Sequence, residues 1–327
     1  MACLAEMITR MQRQYCLDAI KMGGQSSFGD IIMRGLILEG GAMRAGFVAG
    51  AVMALMDKRL TNFDAAMAVS ASVPTLAYFA AGQREEIECV WRHELDTPNL
   101  VCYRNIPATS LSLSTERPII DIDYLVYKVF KNKYPLDIQS LVRSQIDCIF
   151  ALTKVPDGSL AFLRPSDDDI YKTFKAALAV PCCYPGTVCL GNYEYIDGGT
   201  VNPLPVRSLY HKKTDRILAI LSKPLNRESD PPGLFERILF WRYFRSYDWV
   251  LDRLWASGRV YNEEASTLGH LAADTPPKAL IICPDKIPPA KFITRDSKKI
   301  NKTIDLGYRK VEEYEDEIEQ FLKEEFL

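Results

Sequence analysis

The chain has 327 residues, 48% of them apolar and 25% charged, with 18 Gly and 19 Pro. That is ordinary globular composition, so a disordered or fibrous chain is excluded, and the length suits one layered α/β unit carrying additions. Forty basic residues against 42 acidic leave a net charge of −2, which gives no electrostatic case for a nucleic-acid partner.

The nine cysteines are scattered and mostly sit inside apolar runs. They read as buried thiols in a reducing compartment rather than as a disulfide framework. Cys182, Cys183 and Cys189 form the one cluster, and no histidine lies near enough in sequence to complete a zinc site. No run reaches ~18 apolar residues and no signal-peptide core accompanies Arg10 and Arg13, so a cytoplasmic protein without a spanning helix is expected.

Residues 1–32 read as an N-terminal extension, and the folded domain is expected over 33–298. Gly35-Leu36-Ile37-Leu38 has the pattern of a fully buried strand, and an apolar helical pattern runs from Phe47 to Met56. Asp64–Val69 gives a second buried strand, succeeded by an apolar helix over Val73–Ala81. Two such strand–loop–helix units in succession imply parallel strands with right-handed crossovers. Further buried strands are expected at Ile146–Leu152, Ile217–Leu221 and Leu280–Cys283, and a short one at Glu194–Ile196.

Arg117–Asp123 reads as a turn opening a helix, and Asp167-Asp168-Asp169 as acidic charge at the start of a helix from Ile170. Asp121 and Asp123 lack a third ligand for a metal. Residues 225–275 are expected to form a helical insertion rich in aromatics and arginines, and 299–327 a charged C-terminal helix. The densest part of the insertion, 234–259, suits either an amphipathic pair of helices packed on the domain or a peripheral membrane contact.

Three segments carry chemistry. Gly40-Gly41-Ala42-Met43-Arg44 joins a strand to a helix, so its successive N–H groups face negative charge at the positive end of the helix dipole. It lacks the Lys-Ser/Thr of a P-loop and the spacing of a dinucleotide fingerprint. Ala68-Val69-Ser70-Ala71-Ser72 ends a strand and opens a helix, a sharp turn that thrusts the Ser70 hydroxyl outward with the Ala71 N–H beside it. The alternative reading of Ser70 is an N-cap. Asp197-Gly198-Gly199 comes after a short strand and precedes Asn202-Pro203-Leu204-Pro205, as either a tight turn or an acid delivered to another element.

The order and context of these segments resemble the patatin-like phospholipase family, with the likeness carried by residues 35–50, 64–82 and 174–206. The resemblance implies a three-layer α/β/α fold with a central, mostly parallel sheet. It also implies a Ser–Asp dyad that cleaves lipid carboxyl esters through an acyl-enzyme, with no metal or organic cofactor. Ser70 would be the nucleophile and Asp197 its base. Gly40, Gly41 and Ala42 would receive the oxyanion, with Arg44 stabilising charge or propping the loop, and Ala71, Gly198 and Gly199 would support the site. Ala42, Ala45, Ala68 and Ser72 stand where the family carries glycine.

The same residues admit two rival readings. One is a family member of impaired activity that binds lipid or a partner. The other is a Ser–Asp–His triad completed by His211 or His270, with His93 misplaced in chain order.

Overall fold

The computed structural model describes residues 33–106, 118–181, 183–210, 214–227 and 248–323, with side chains of the last stretch from 252 onward. Met33–Leu327 is a compact unit. The extension 1–32 and residues 228–247, which hold most of the aromatic and arginine-rich run, lie outside the described residues.

Eight strands form one sheet: β1 (Arg34–Leu38), β2 (Ala65–Val69), β3 (Asp147–Lys154), β4 (Leu160–Leu163), β5 (Val188–Leu190), β6 (Tyr193–Asp197), β7 (Arg216–Ile220) and β8 (Ala279–Ile282). Their order is β5-β6-β3-β2-β1-β7-β8, with β4 also paired to β3. From β3 through β2, β1 and β7 to β8, each strand runs parallel to its neighbour. The antiparallel pairs gather around the far end of β3.

The parallel strands are buried on both faces, as their unbroken apolar runs require. Leu36, Leu38, Ala66, Ala68, Leu218 and Ile220 enter one core, and Ile37, Ala65, Met67, Ile217 and Ala219 enter the other. This alternation is the two-residue period of a strand, and it makes the fold three-layered: α/β/α around a mixed, mostly parallel sheet.

Helices α1 (Gly46–Asp57), α2 (Ser72–Ala80), α3 (Arg84–His93), α4 (Ile138–Arg143), α5 (Ile170–Leu178), α6 (Val206–Tyr210), α7 (Asp248–Ala273), α8 (Ser297–Glu313) and α9 (Glu315–Lys323) cover the sheet, with a π-helical stretch over Tyr124–Lys133. Asp169 caps α5 by accepting from Tyr171 N and Lys172 N, and Asp121 accepts from Tyr124 N at 3.0 Å. Asp123 is taken by Lys175 and the Tyr184 hydroxyl rather than by a metal-ligand set.

Three expectations change. The charged C-terminal run forms two helices, α8 and α9, because the chain turns at Tyr314. Strands β4 and β5 have no sequence signal, since both are short and only partly buried. Of the described cysteines only Cys148 is fully buried, while Cys189 is exposed on β5.

Helix α1 is buried from Gly46 through Leu55, because α8 lies directly across it. The crossing has glycine on both sides. An ideal Cβ on Gly50 would stand 1.9 Å from the Ile304 carbonyl oxygen, and one on Gly307 would stand 1.8 Å from that of Phe47. Gly269 on α7 has nothing within 4 Å of its own ideal Cβ. Gly50→Val is therefore expected to lower the thermal midpoint by at least about 5 °C, whereas Gly269→Ala raises it by about 1–3 °C through lost unfolded-state entropy. Paired thermal melts check both signs.

Candidate active site

The edge of β3 decides where the two candidate side chains meet. Val69, the last residue of β2, pairs in parallel with Ala151. Asp197, the last residue of β6, pairs antiparallel with Leu152. Strand β4 pairs with both Ala151 and Leu152, so it holds the opposite edge. Strands β2 and β6 therefore share one edge of β3 and run toward each other, ending at consecutive positions. Both strand ends deliver a side chain into the same space: Ser70 from one direction, the Asp197 carboxylate from the other.

The Ser70 hydroxyl donates to Asp197 Oδ2 at 2.6 Å, across 127 residues of sequence. Ser70 sits at φ +57°, the strained turn that aims a side chain away from its strand. Asp197 is held from behind: Gly199 N donates to its Oδ1 at 2.7 Å, and Thr153 Oγ1 donates to its carbonyl oxygen at 2.9 Å. Gly198 is buried beneath, in the turn just after the acid. Burial pushes the Asp197 carboxyl up to about 6, against the pull of the hydrogen bonds from Ser70 and Gly199. A carboxylate with that affinity for protons is matched to taking one from a hydroxyl near neutral pH.

Among the described residues no imidazole intervenes. His93 lies in the last turn of α3 and His270 in that of α7, and neither hydrogen-bonds to Ser70 or Asp197; His211 is outside the described residues. The nearby Cys183 thiol is pushed up to about 12 by burial and by the charge of Asp197, so it stays protonated.

The glycine-rich loop closes over Ser70. An ideal Cβ on Gly40 would lie 2.6 Å from Ser70 Cβ, so only glycine lets the loop backbone approach this closely. Gly41 has φ +151° and Ala42 φ +48°. Among the described residues nothing accepts a hydrogen bond from the N–H groups of Gly40, Gly41 or Ala42. Ala42 and Ala71 line the same cavity as Ser70, whereas Arg44 does not; its charge lies near the buried Glu39 carboxyl.

Of the four positions where the resemblance implies glycine, Ala42 alone has positive φ. Ala45 is helical, Ala68 is an ordinary strand residue, and Ser72 opens α2. The Ser72 hydroxyl donates to the Glu39 carbonyl oxygen at 2.6 Å. Glu39 in turn accepts from Ser222 N at 2.5 Å, and Ser222 Oγ donates to the Gly40 carbonyl oxygen at 2.8 Å. Sequence reasoning missed Glu39, Ser222 and the Ser72 hydroxyl as parts of the site. A charged residue between a buried strand and a glycine-rich loop was the one available signal, and Ser222 had none.

The cavity leading from Ser70 runs between α2, α3 and the π-helical stretch. Pro74, Ile87, Val90, Trp91, Leu95, Leu100, Ile122, Leu125 and Phe130 line it, and among the described residues no charged side chain does. Its polar atoms are already engaged: Trp91 Nε1 donates to Thr75 Oγ1 at 3.1 Å, and the Tyr78 hydroxyl donates to the Tyr134 carbonyl oxygen at 2.6 Å. The walls therefore suit a hydrocarbon chain and offer little to a polar one.

Holding an Asp carboxyl up to about 6 has a consequence for stability. In the unfolded chain Asp197 releases its proton near the ordinary value of 3.8. Between those values the native protein keeps a proton that the unfolded chain has lost, so stability falls as pH rises through the window. The full penalty, on the order of 2–3 kcal/mol, applies above about pH 6. Asp197→Asn removes the charge, so its melting temperature is expected to exceed wild type at pH 8 and to converge with it below pH 4. Thermal denaturation at both pH values measures this.

The patatin-like phospholipase family model matches residues 36–210, more than half of the chain. The uncharacterized protein YjjU of Escherichia coli (strain K12) is 23% identical over 210 residues, which cover 63% of this chain and 56% of that protein. The chain thus matches little more than half the length of this curated relative. Among solved structures, VipD from Legionella pneumophila matches with 13% identity and a TM-score of 0.47, over 88% of this chain and 68% of that one. On the extent of the family match, the chain belongs to the patatin-like phospholipase family.

Proposed function

We propose that the protein is a serine acyl hydrolase that cleaves lipid carboxyl esters through a Ser70–Asp197 dyad. The observation that carries this reading is the direct 2.6 Å hydrogen bond from the Ser70 hydroxyl to a buried carboxylate whose proton affinity is raised to about 6. The apolar cavity opening beside that pair supports an acyl chain as the group transferred.

In the first half-reaction Ser70 Oγ attacks the ester carbonyl carbon while its proton passes to Asp197 Oδ2. Negative charge then develops on the carbonyl oxygen and is met by the N–H groups of Gly40, Gly41 and Ala42. The tetrahedral intermediate collapses, the C–O bond to the alcohol breaks, and the Asp197 proton goes to the departing alkoxide. Water enters next, gives its proton to Asp197, and attacks the acyl-enzyme. Collapse releases the fatty acid and returns the proton to Ser70.

Retained activity is supported by the backbone at the replaced glycines. Positive φ among the replaced glycines is confined to Ala42, where a non-glycine residue costs about 1–2 kcal/mol, a strain that a rigid surround can hold.

Release of fatty acid from phospholipid vesicles and of p-nitrophenol from short esters is expected for wild type, with a loss of at least ~1,000-fold in Ser70→Ala. Ester turnover that survives Ser70→Ala contradicts the assignment. Val90 is buried in the cavity wall. Val90→Phe is expected to lower kcat/KM on long acyl chains by about tenfold or more while sparing acetyl and butyryl esters, because overpacking shortens the cavity without touching the dyad. Chain-length profiles of the two proteins test this.

A further inference from the structure

The hydroxyls of Ser72 and Ser222 have no part in the proton transfers above, yet both are completely buried and both end on the glycine-rich loop. Their acceptors are successive carbonyl oxygens. Ser72 Oγ donates to that of Glu39 at 2.6 Å, and Ser222 Oγ to that of Gly40 at 2.8 Å. The next carbonyl oxygen, that of Gly41, accepts from Arg44 N at 3.0 Å.

A trans peptide is planar, with its C=O and the next residue's N–H pointing in opposite directions. Fixing the Glu39 carbonyl therefore fixes the Gly40 N–H; fixing Gly40's carbonyl fixes the Gly41 N–H; and fixing Gly41's carbonyl fixes the Ala42 N–H. None of these three N–H groups has an acceptor among the described residues. They belong to the loop that packs on Ser70, and Ala42 lines the Ser70 cavity.

We infer that Ser72 and Ser222 are positioning residues that orient the oxyanion-binding amides of Gly40 and Gly41, with Glu39 anchoring Ser222. The inference rests on the hydrolase reading above.

Glu39 joins the parts. Its N–H donates to the Ile220 carbonyl oxygen at the end of β7, and its carboxylate accepts from Ser222 N two residues later. Burial raises the Glu39 carboxyl, and the charge of Lys223 is the first of the influences that oppose this. The ends of β1, β2 and β7 are thus tied at one residue. A glycine in place of Ser72 would supply no donor to the Glu39 carbonyl oxygen, so the departure from the family pattern adds an orienting bond here. Preorganised amides aimed at a developing charge need no rearrangement during reaction, whereas amides free to rotate lose that advantage.

The experiment compares wild type, Ser222→Ala and Ser72→Gly on a p-nitrophenyl ester and on its thiono counterpart, in which C=S replaces C=O. Sulfur accepts hydrogen bonds weakly, so the oxo-to-thiono ratio of kcat reports amide contact in the transition state. A variant that merely unfolds a fraction of the molecules lowers both rates together and leaves the ratio unchanged. The expected result is a fall in that ratio of at least ~5-fold in both variants, with KM on the oxo ester shifted by less than ~3-fold. Ser72→Gly removes the hydroxyl without adding volume, which keeps the test readable if Ser222→Ala folds poorly. An unchanged ratio with an active wild type overturns the positioning role and leaves the hydrolase reading standing. A wild type with no Ser70-dependent turnover overturns both.

Discussion

Everything at the site depends on two strands sharing one edge of a third. Strand β2 runs forward along β3 as far as Ala151, and β6 runs back along the same edge as far as Leu152. A hydrogen-bonded register has no slack: slipping either strand by one residue would turn every side chain on it to the other face. The meeting of Ser70 and Asp197 is therefore set by the most buried part of the sheet and not by the loops beyond it. The order of the remaining strands adds the third component. Strands β1 and β7 are neighbours whose following helices, α1 and α7, pack on opposite faces of the sheet, and the crevice outside such a switch point is where open α/β sheets hold ligands. The glycine-rich loop emerges there.

The site is built against stability in two ways. A carboxyl group is enclosed where its charge is poorly solvated, and two non-glycine residues, Ser70 and Ala42, are held at positive φ. Both are sustained by rigid surroundings: parallel strands buried on both faces, and α1 clamped by α8 at a crossing too tight for any side chain. Within these surroundings Asp197 is buried and the serine hydroxyl is its direct partner, with no imidazole between them among the described residues.

Much of this was legible in the sequence, and the reasons differ by element. The parallel strands β1, β2, β3 and β7 are unbroken apolar runs, a pattern that burial on both faces demands, and the glycine-rich and serine turns are marked by small residues at strand ends. Strands β4 and β5 carried no such mark, being short and half-exposed. The break at Tyr314 was hidden because one charged, amphipathic pattern continues through α8 and α9. At the site, residue types were readable but partners were not. Nothing local tells that Ser222 returns to Gly40 from 182 positions away, or that the hydroxyl of Ser72 has a carbonyl to meet. The cavity walls come from α2, α3, the π-helical stretch and the chain near Leu178, so their apolar residues read as ordinary core until the layers are assembled.

If Asp197 itself activates Ser70, the pH dependence of covalent capture must follow the Asp197 proton. The rate at which a fluorophosphonate modifies Ser70, monitored by intact mass, should rise with pH to a plateau with a midpoint close to the Asp197 value of about 6. In Asp197→Asn it should fall by at least ~100-fold on that plateau, the usual scale of a lost general base, and the rise with a midpoint near 6 should disappear. Modification of Ser70 in Asp197→Asn at the wild-type rate, with the wild-type pH profile, would contradict the account.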